Sequence, residues 1–134
     1  MKEDEKFMCL ALNEAKLAYD LNEVPVGAVV VYRGKVIASA HNRSLIDNDP
    51  TSHAEMLALR LAAKISKNYR INEMTVYSTL EPCTMCYGAM VHARIKRMVF
   101  GAFDPKSGVI GSVINLSDEK YFNHNFEVSG GVLS

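Results

Sequence analysis

The segment Met74-Thr75-Val76-Tyr77-Ser78-Thr79-Leu80-Glu81-Pro82-Cys83-Thr84-Met85-Cys86 decides the fold of this 134-residue chain. Residues 74–80 are rich in β-branched and aromatic side chains, which predicts a strand. A helix is predicted from Thr84 to about Ala93, and a further strand from Arg97 to Gly101. Strands that are joined by a helical crossover lie parallel in one sheet. The segment therefore predicts a strand–helix–strand unit with a cysteine pair at the start of its helix.

Periodicity predicts the elements on either side of this unit. The predicted elements are an amphipathic helix over 4–21, two strands over 27–32 and 35–40, a loop over 42–52, a helix over 53–64 and a short strand near 126–128. Arg33-Gly34 separates the first two strands as a two-residue hairpin turn. This order predicts an α/β fold, a three-layer α/β/α sandwich with a mixed five-stranded sheet and helices on both faces. We expect one domain over residues 1–134.

The first helix is expected to bury one apolar face. The residues at helical spacing are Phe7, Leu10, Ala11, Ala15, Leu17, Ala18 and Leu21. Cys9 is expected on this face as a small buried side chain. An odd count of three cysteines argues against a disulfide framework and leaves Cys83 and Cys86 for metal or redox chemistry.

Charge and hydropathy restrict the partners and the compartment. Lys+Arg 15 and Asp+Glu 15 give a net charge of zero, without the basic surplus that is typical of nucleic-acid-binding proteins. The charged N-terminus is unlike a secretory signal, and the most apolar run, residues 24–32, is too short to span a bilayer. We expect a cytoplasmic or organelle-matrix protein without a membrane or DNA partner. Two basic clusters are interpreted as solvated charge: Lys64, Lys67 and Arg70, and Arg94, Lys96 and Arg97.

His53 and Glu55 complete a candidate catalytic metal site with the two cysteines. One imidazole and two thiols give a zinc ion three protein ligands, whereas structural zinc sites usually have four. The open position can hold a water whose pKa zinc lowers to roughly 7. His53 and Cys83 both precede predicted helices, where unpaired N–H groups lower the pKa of a thiol. Glu55 is not needed as a ligand and is therefore the candidate proton carrier.

Each half of this site has another interpretation on its own. Ser52-His53-Ala54-Glu55 also fits a helix capping box. Cys83 and Cys86 could form half of a structural zinc site or a redox dithiol, although a second C-x-x-C is absent. Together, the parts match the pattern H-x-E…P-C-x-x-C of zinc-dependent nucleobase deaminases.

Beyond this pattern, nearly the whole chain resembles the bacterial tRNA-specific adenosine deaminases, which belong to the cytidine-deaminase-like zinc enzymes. The stretches that carry the resemblance are 23–28 (Glu-Val-Pro-Val-Gly-Ala), 41–43 (His-Asn-Arg), 49–55 (Asp-Pro-Thr-Ser-His-Ala-Glu), 79–86 (Thr-Leu-Glu-Pro-Cys-Thr-Met-Cys), 100–108 (Phe-Gly-Ala-Phe-Asp-Pro-Lys-Ser-Gly) and 122–124 (Phe-Asn-His). The last two are narrower signals than the zinc motif and are typical of the tRNA editors.

The resemblance implies a cytidine-deaminase fold and a homodimer that converts adenosine to inosine at the wobble position of a tRNA anticodon. It implies one zinc ion per subunit on His53, Cys83 and Cys86, with proton transfer by Glu55. It further implies a set of substrate contacts: Asn42, the backbone of Ala54 and Val26 at the purine, and Asp104, Lys106 and Asn123 at the flanking anticodon nucleotides. Asp104 and Lys106 could instead serve only to build a turn.

The chain departs from the family pattern near its end and at Phe103. Family members usually continue past the equivalent of residues 131–133 into a final, often basic helix that helps to hold tRNA. We therefore expect a domain without that helix, as a truncated or a short form. Phe103 stands where a polar or charged residue is common. Two alternatives stay open: a deaminase of a free base or nucleoside (guanine, cytosine or cytidine), and a zinc-stabilised partner subunit without activity.

Overall fold

The computed structural model describes residues 2–118 and 124–133, and within them a five-stranded sheet has the order β2-β1-β3-β4-β5. The helices and strands are α1 (Lys2–Asp20), β1 (Gly27–Tyr32), β2 (Lys35–His41), α2 (Ser44–Asp47), α3 (Ala54–Ser66), β3 (Thr75–Leu80), α4 (Thr84–Ala93), β4 (Arg97–Ala102) and β5 (Glu127–Ser129), with a 3-10 turn at Leu116–Asp118. Every predicted element is present within about two residues. The short helix α2, inside the predicted loop 42–52, and the 3-10 turn at Leu116–Asp118 were not expected.

The sheet is mixed, as the sequence predicts. β1 pairs antiparallel with β2 and with β3, whereas β3, β4 and β5 run parallel. Arg33 and Gly34 form the predicted hairpin turn with φ values of 49° and 78°. These values are those of a turn with left-handed central residues, whose twist matches that of the flanking strands.

Helix α1 covers one face of the sheet through a narrow apolar stripe. Its buried residues contact alternate positions of the central strands, and the packed set is Phe7, Met8, Ala11, Val29, Val31, Tyr77 and Val99. A Cβ atom on Gly27 would lie 2.1 Å from the backbone oxygen of Ala11. Glycine at position 27 therefore allows the helix backbone to lie directly against β1.

The prediction of which residues form the buried apolar face of α1 was partly wrong. Leu10, Leu17 and Leu21 are 38%, 49% and 48% exposed, because the buried stripe consists largely of small alanines. The expectation for Cys9 was also wrong, since this side chain is exposed beside the stripe. Helical spacing alone did not show which edge of a wide apolar face contacts the sheet.

Helices α3 and α4 cover the opposite face and complete the predicted three layers. The larger core lies here, with Ala54, Ala58 and Ala62 of α3 and Tyr87 and Met90 of α4 packed against the sheet. Within the described residues, no helix combines the length and apolar character needed to cross a membrane.

The parallel crossover from β3 through α4 to β4 determines where the candidate site lies. Leu80 ends β3, and the chain passes through residues 81–83 directly into α4. α3 also begins next to this end of the sheet, because its first turn contacts the first turn of α4. The topology therefore brings two helix N-termini together at the carboxyl end of β3.

Asp4 joins α1 to three strands at the opposite end of β3. Arg97 donates two hydrogen bonds to its carboxylate, at 2.9 and 2.7 Å, and the Tyr77 hydroxyl donates a third at 2.7 Å. Arg97 also donates to Ser129 Oγ on β5 at 2.9 Å. The hydrogen bond from Arg97 holds the pKa of Asp4 below its ordinary value of 3.8 despite burial. The interpretation of Arg97 as solvated charge is therefore wrong, because its guanidinium group joins α1 to β5.

We expect Asp4→Asn to lower the free energy of unfolding by about 1–3 kcal/mol at pH 7, because it leaves Arg97 and Tyr77 poorly paired. The folded-state pKa of Asp4 is lowered, so its contribution is present above pH 3.8 and is lost as the pH falls through the folded-state pKa. Denaturant unfolding at several pH values measures both effects. Glu3→Gln, an exposed change in the same first turn, is the matched control. An equal loss in the control would contradict this assignment.

Candidate metal and active site

His53, Cys83 and Cys86 meet in the geometry that a tetrahedral zinc ion requires. His53 Nδ1 lies 3.7 Å from Cys83 Sγ and 3.6 Å from Cys86 Sγ. Zinc–nitrogen and zinc–sulfur bonds of ordinary length at a tetrahedral angle separate the two donor atoms by about 3.6 Å. Among the described residues, this is the only group of three or more such side chains close enough to share a metal. The donor set fits one zinc ion.

The positions of the ligands follow from the local sequence. His53 is the N-cap residue of α3, and Cys83 is the N-cap residue of α4. Cys86 lies three residues further on, so both sulfurs are on the same side of the first turn of α4. All three donors therefore belong to helix starts that are packed on the sheet.

The environment of Cys83 favours the thiolate, which is the form that binds zinc. A hydrogen bond from the Cys86 thiol is the largest cause that lowers the pKa of Cys83 to about 5. Backbone N–H groups of Cys86 and Met85 and the nearby His53 act in the same direction, against burial. The hydrogen bond that the Cys86 thiol donates to Cys83, together with burial, raises the pKa of Cys86, so that Cys86 keeps its proton. The pair therefore shares one proton, which a bound cation would replace.

Glu55 lies beside the metal ligands and is almost completely buried, at 4% exposed. It is not a member of the three-residue donor group. Burial is the main cause that raises the pKa of its carboxyl group to about 7. A carboxyl group with such a pKa can both accept and return a proton near neutral pH. The capping-box alternative is wrong, because the N-cap residue of α3 is His53 and Ser52 Oγ donates instead to Asp47 Oδ2 at 3.0 Å.

A cavity of about 250 Å³ opens in front of the ligands. It brings together six of the predicted site residues: Val26, Asn42, His53, Glu55, Cys83 and Asp104. The sequence did not single out its other lining residues, Val24, Leu80, Glu81 and Ser107. The cavity is only partly enclosed and has apolar walls with a few polar groups, as small-ligand sites usually do.

Asn42 has a fixed orientation in this cavity. Its Oδ1 accepts a hydrogen bond of 2.7 Å from the backbone N–H of Ala54, at the start of α3. Because a backbone N–H can only donate, the amide oxygen must face Ala54. Asn42 therefore presents its Nδ2 amino group as a donor for a ligand. Ala54 is fully buried beneath it.

Glu23 anchors the loop between Asn42 and His53. Its buried carboxylate accepts hydrogen bonds from the backbone N–H groups of Leu45 at 3.1 Å and Ile46 at 2.7 Å. Carboxylates at a helix start are favoured because the N–H groups there lack partners within the helix. These two bonds tie the start of α2, within the segment between Asn42 and His53, to Glu23.

Asp104 and Lys106 differ in their relation to the cavity. Asp104 lines it, and its Oδ1 accepts hydrogen bonds from the N–H groups of Lys106 at 3.0 Å and Ser107 at 3.3 Å. These bonds show that Asp104 builds a turn, and its place in the cavity wall leaves a substrate contact as a prediction. Lys106 is exposed and is not among the residues that line the cavity. Asn123 lies outside the described residues.

Glu81 is the largest omission from the sequence prediction. It is 1% exposed and accepts four hydrogen bonds from residues 104–112. Burial acts to raise the pKa of its carboxyl group, but the bonds from Ser112, Asp104 and Ile110 together hold the pKa below its ordinary value. A charged residue directly after an apolar strand and before Pro82-Cys83 was a signal that could have identified it.

Comparisons with known proteins agree with this geometry. Residues 1–102 match the family model of the cytidine and deoxycytidylate deaminase zinc-binding region. A tRNA-specific adenosine deaminase of Haemophilus influenzae is 52% identical over 98% of this chain and 76% of its own length. A Bacillus subtilis protein of the same name is 48% identical over 99% of this chain and 83% of its own length.

Among solved structures, a tRNA deaminase is more similar to this chain than a guanine deaminase is. A structure from a study of A-to-I editing by tRNA deaminases at the wobble position of transfer RNA has a TM-score of 0.91 and 43% identity, covering 94% of this chain and 91% of that one. Guanine deaminase from Bacillus subtilis has a TM-score of 0.74 and 31% identity, covering 90% and 80%. Fold and sequence are both closer to the tRNA enzyme than to this free-base enzyme.

We expect Cys83→Ser to reduce the zinc content of the purified protein to well below one ion per chain, because a serine hydroxyl is a far weaker zinc ligand than a thiolate. Elemental analysis of protein dialysed against metal-free buffer measures this change. Cys9→Ser removes an exposed thiol outside the cluster and should leave the zinc content unchanged. Equal zinc contents in the two variants would exclude the proposed ligand set.

Proposed function

Since the chain belongs to the cytidine and deoxycytidylate deaminase family of zinc enzymes, we propose that it hydrolyses adenosine to inosine at the wobble position of a tRNA anticodon. The observation that carries the chemistry is a three-donor metal cluster beside a buried carboxyl group that is not one of the donors. The relatives named as tRNA-specific adenosine deaminases support the substrate. The lower similarity to guanine deaminase makes a free base the weaker candidate.

The reaction exchanges the adenine amino group for oxygen. His53, Cys83 and Cys86 would hold a zinc ion, which when bound would lower the pKa of water and so make it a nucleophile near neutral pH. Glu55 takes a proton from the attacking water and delivers it to the neighbouring ring nitrogen. The water oxygen, now bonded to the ring carbon, gives its remaining proton to Glu55, which passes it to the amino group. The carbon–nitrogen bond then breaks, ammonia leaves, and the carbon–oxygen bond becomes the carbonyl of inosine. The buried position of Glu55 and its raised pKa suit both proton transfers.

We propose that the cavity binds the purine with its polar and apolar walls. The Nδ2 group of Asn42 donates to a ring acceptor, the backbone at Ala54 borders the base, and Val26 contacts the ring face. The cavity is small, so the base must leave its stack to enter it. That step costs little in an anticodon loop, where bases are already partly unstacked.

The flanking nucleotides would contact the rim of the cavity. We assign Asp104 and Lys106 to this role because Asp104 lines the cavity and Lys106 is exposed on the same turn. Asn123 is assigned by the resemblance alone. Near-zero net charge means that local contacts, and not a general basic field, must hold the RNA.

We further propose that two chains form a homodimer and that the protein acts in the cytoplasm, where its tRNA substrate is found. The resemblance to the tRNA deaminases supports both proposals. Size-exclusion chromatography with light scattering tests the first, and a monomer that retains full activity on tRNA would exclude it.

An anticodon stem-loop with adenosine at the wobble position should yield inosine and ammonia, whereas the same stem-loop with cytidine should not react. Nuclease digestion and chromatography of the nucleosides measure the products. Guanine, cytosine and cytidine serve as competing substrates. Turnover of a free base or nucleoside that exceeds turnover of every adenosine stem-loop would support the alternative function.

Glu55→Ala should lower kcat by at least about 10²- to 10⁴-fold, the usual contribution of a positioned general acid–base group. Zinc should stay bound, because Glu55 is not a member of the donor group. Single-turnover assays and elemental analysis of the same preparation separate the two effects. Unchanged turnover would contradict the proton-transfer role, and loss of zinc would show that the carboxylate serves the metal.

A further inference from the structure

We propose that Glu81 is a positioning residue that aligns the RNA-contacting turn with the metal centre. This inference rests on the proposed function, because it concerns how the site accepts the nucleotides next to the reacting base. Glu81 is not one of the three candidate metal ligands, so it does not act on the reaction by binding the metal. It acts through the loop 104–112, which it holds against the end of β3.

Both carboxylate oxygens of Glu81 are used by this loop. Oε1 accepts hydrogen bonds from the N–H of Asp104 at 3.0 Å and from the hydroxyl of Ser112. Oε2 accepts from the N–H groups of Ile110 at 2.8 Å and Ser112 at 3.1 Å. Hydrogen bonds to an ionised acceptor are stronger than neutral ones. One side chain therefore determines the path of the loop at both of its ends.

The loop backbone also encloses the carboxylate closely. A Cβ atom on Gly108 would lie 2.3 Å from Glu81 Cδ, which is far inside van der Waals contact. A side chain at position 108 would therefore displace the Glu81 carboxylate from its hydrogen bonds with the loop. With Glu81 at 1% exposure, water cannot replace the bonds that the loop makes.

The same short segment that holds the loop also carries a metal ligand. The N–H of Glu81 donates to the oxygen of Ala102 at 2.9 Å, and the oxygen of Pro82 accepts from the N–H of Val109 at 3.1 Å. Cys83 follows immediately as the N-cap of α4. Because residues 81–83 connect the loop to the zinc ligand, Glu81 sets the position of Asp104 relative to the metal centre.

Glu81→Gln is the most informative substitution, because an amide keeps the shape of the side chain but loses one acceptor. The amide oxygen can keep the two N–H groups of Ile110 and Ser112, and the Ser112 hydroxyl can turn to accept from the amide nitrogen. The N–H of Asp104 then faces a donor and must move away. The turn with Asp104 should be displaced first, while the metal ligands keep their geometry.

The experiment compares kcat, KM and zinc content for the wild-type protein, Glu81→Gln and Glu73→Gln, with an adenosine anticodon stem-loop as substrate. Glu73 is an exposed glutamate before the opposite end of β3 and is the matched control. We expect Glu81→Gln to retain zinc and to raise KM by about tenfold, the effect of one lost charge-assisted hydrogen bond, with a smaller change in kcat. Glu73→Gln should behave as the wild type.

A double-mutant cycle with Asp104→Ala distinguishes positioning from a general role in stability. If Glu81 acts through Asp104, the KM of the double variant should be little higher than that of the single variant with the higher KM. Additive effects on KM, or a KM of Glu81→Gln equal to that of the wild type, would overturn the proposal.

Ser112→Ala keeps the test decisive should Glu81→Gln fail to fold, since it removes only the hydroxyl from the network. We expect a KM increase of about two- to fivefold with zinc retained, as for a neutral hydrogen bond, and an unchanged KM would overturn the proposal. If the wild-type protein forms no inosine from any stem-loop, the proposed function fails and this inference with it. A wild type that forms inosine beside variants with unchanged KM rejects the positioning role alone.

Discussion

The meeting of two helix starts at the carboxyl end of β3 is the constraint on which the structure of the site depends. Parallel pairing of β3 with β4 requires a crossover, and the crossover helix begins directly after Cys83. The start of α3 lies against it with His53. The donor atoms are held by packed backbone on one side of a sheet that α1 covers on the other. Metal-binding geometry is therefore a property of the topology and not of mobile loops.

Much of the fold could be predicted because periodicity and turn residues act locally. The strand at 75–80, the Arg33-Gly34 hairpin and the helix after Cys83 each need only their own sequence to be identified. The packing edge of α1 could not be predicted in the same way. Leu10 and Leu17 suit an apolar face, but Gly27 allows the alanine stripe to approach the sheet more closely, so the leucines remain exposed. Contacts between distant segments decided this point.

The meeting of His53, Cys83 and Cys86 beside Glu55 could be predicted because the spacing of these residues is specific to one chemistry. The supporting side chains could not, since their partners are distant in sequence. Glu23 binds N–H groups 22 and 23 residues away, and Glu81 binds groups 23 to 31 residues away. Both look like ordinary surface charges until the fold buries them. The short helix α2 was missed for the same reason, because Glu23 supplies the acceptor at its start.

Asn42 illustrates how a secondary-structure contact shapes recognition. Its carboxamide has two different ends, and the first N–H of α3 engages the oxygen end. In the proposed complex with a base, no rotation of this amide would be needed, so the contact would cost little conformational entropy. A heterocycle with a lone pair facing Asn42 Nδ2 would accept a hydrogen bond from it, whereas one with an N–H at this position would be repelled, because both groups are donors. The fold thus fixes the orientation of the Asn42 amide, and with it the preference of this wall for hydrogen-bond acceptors over donors.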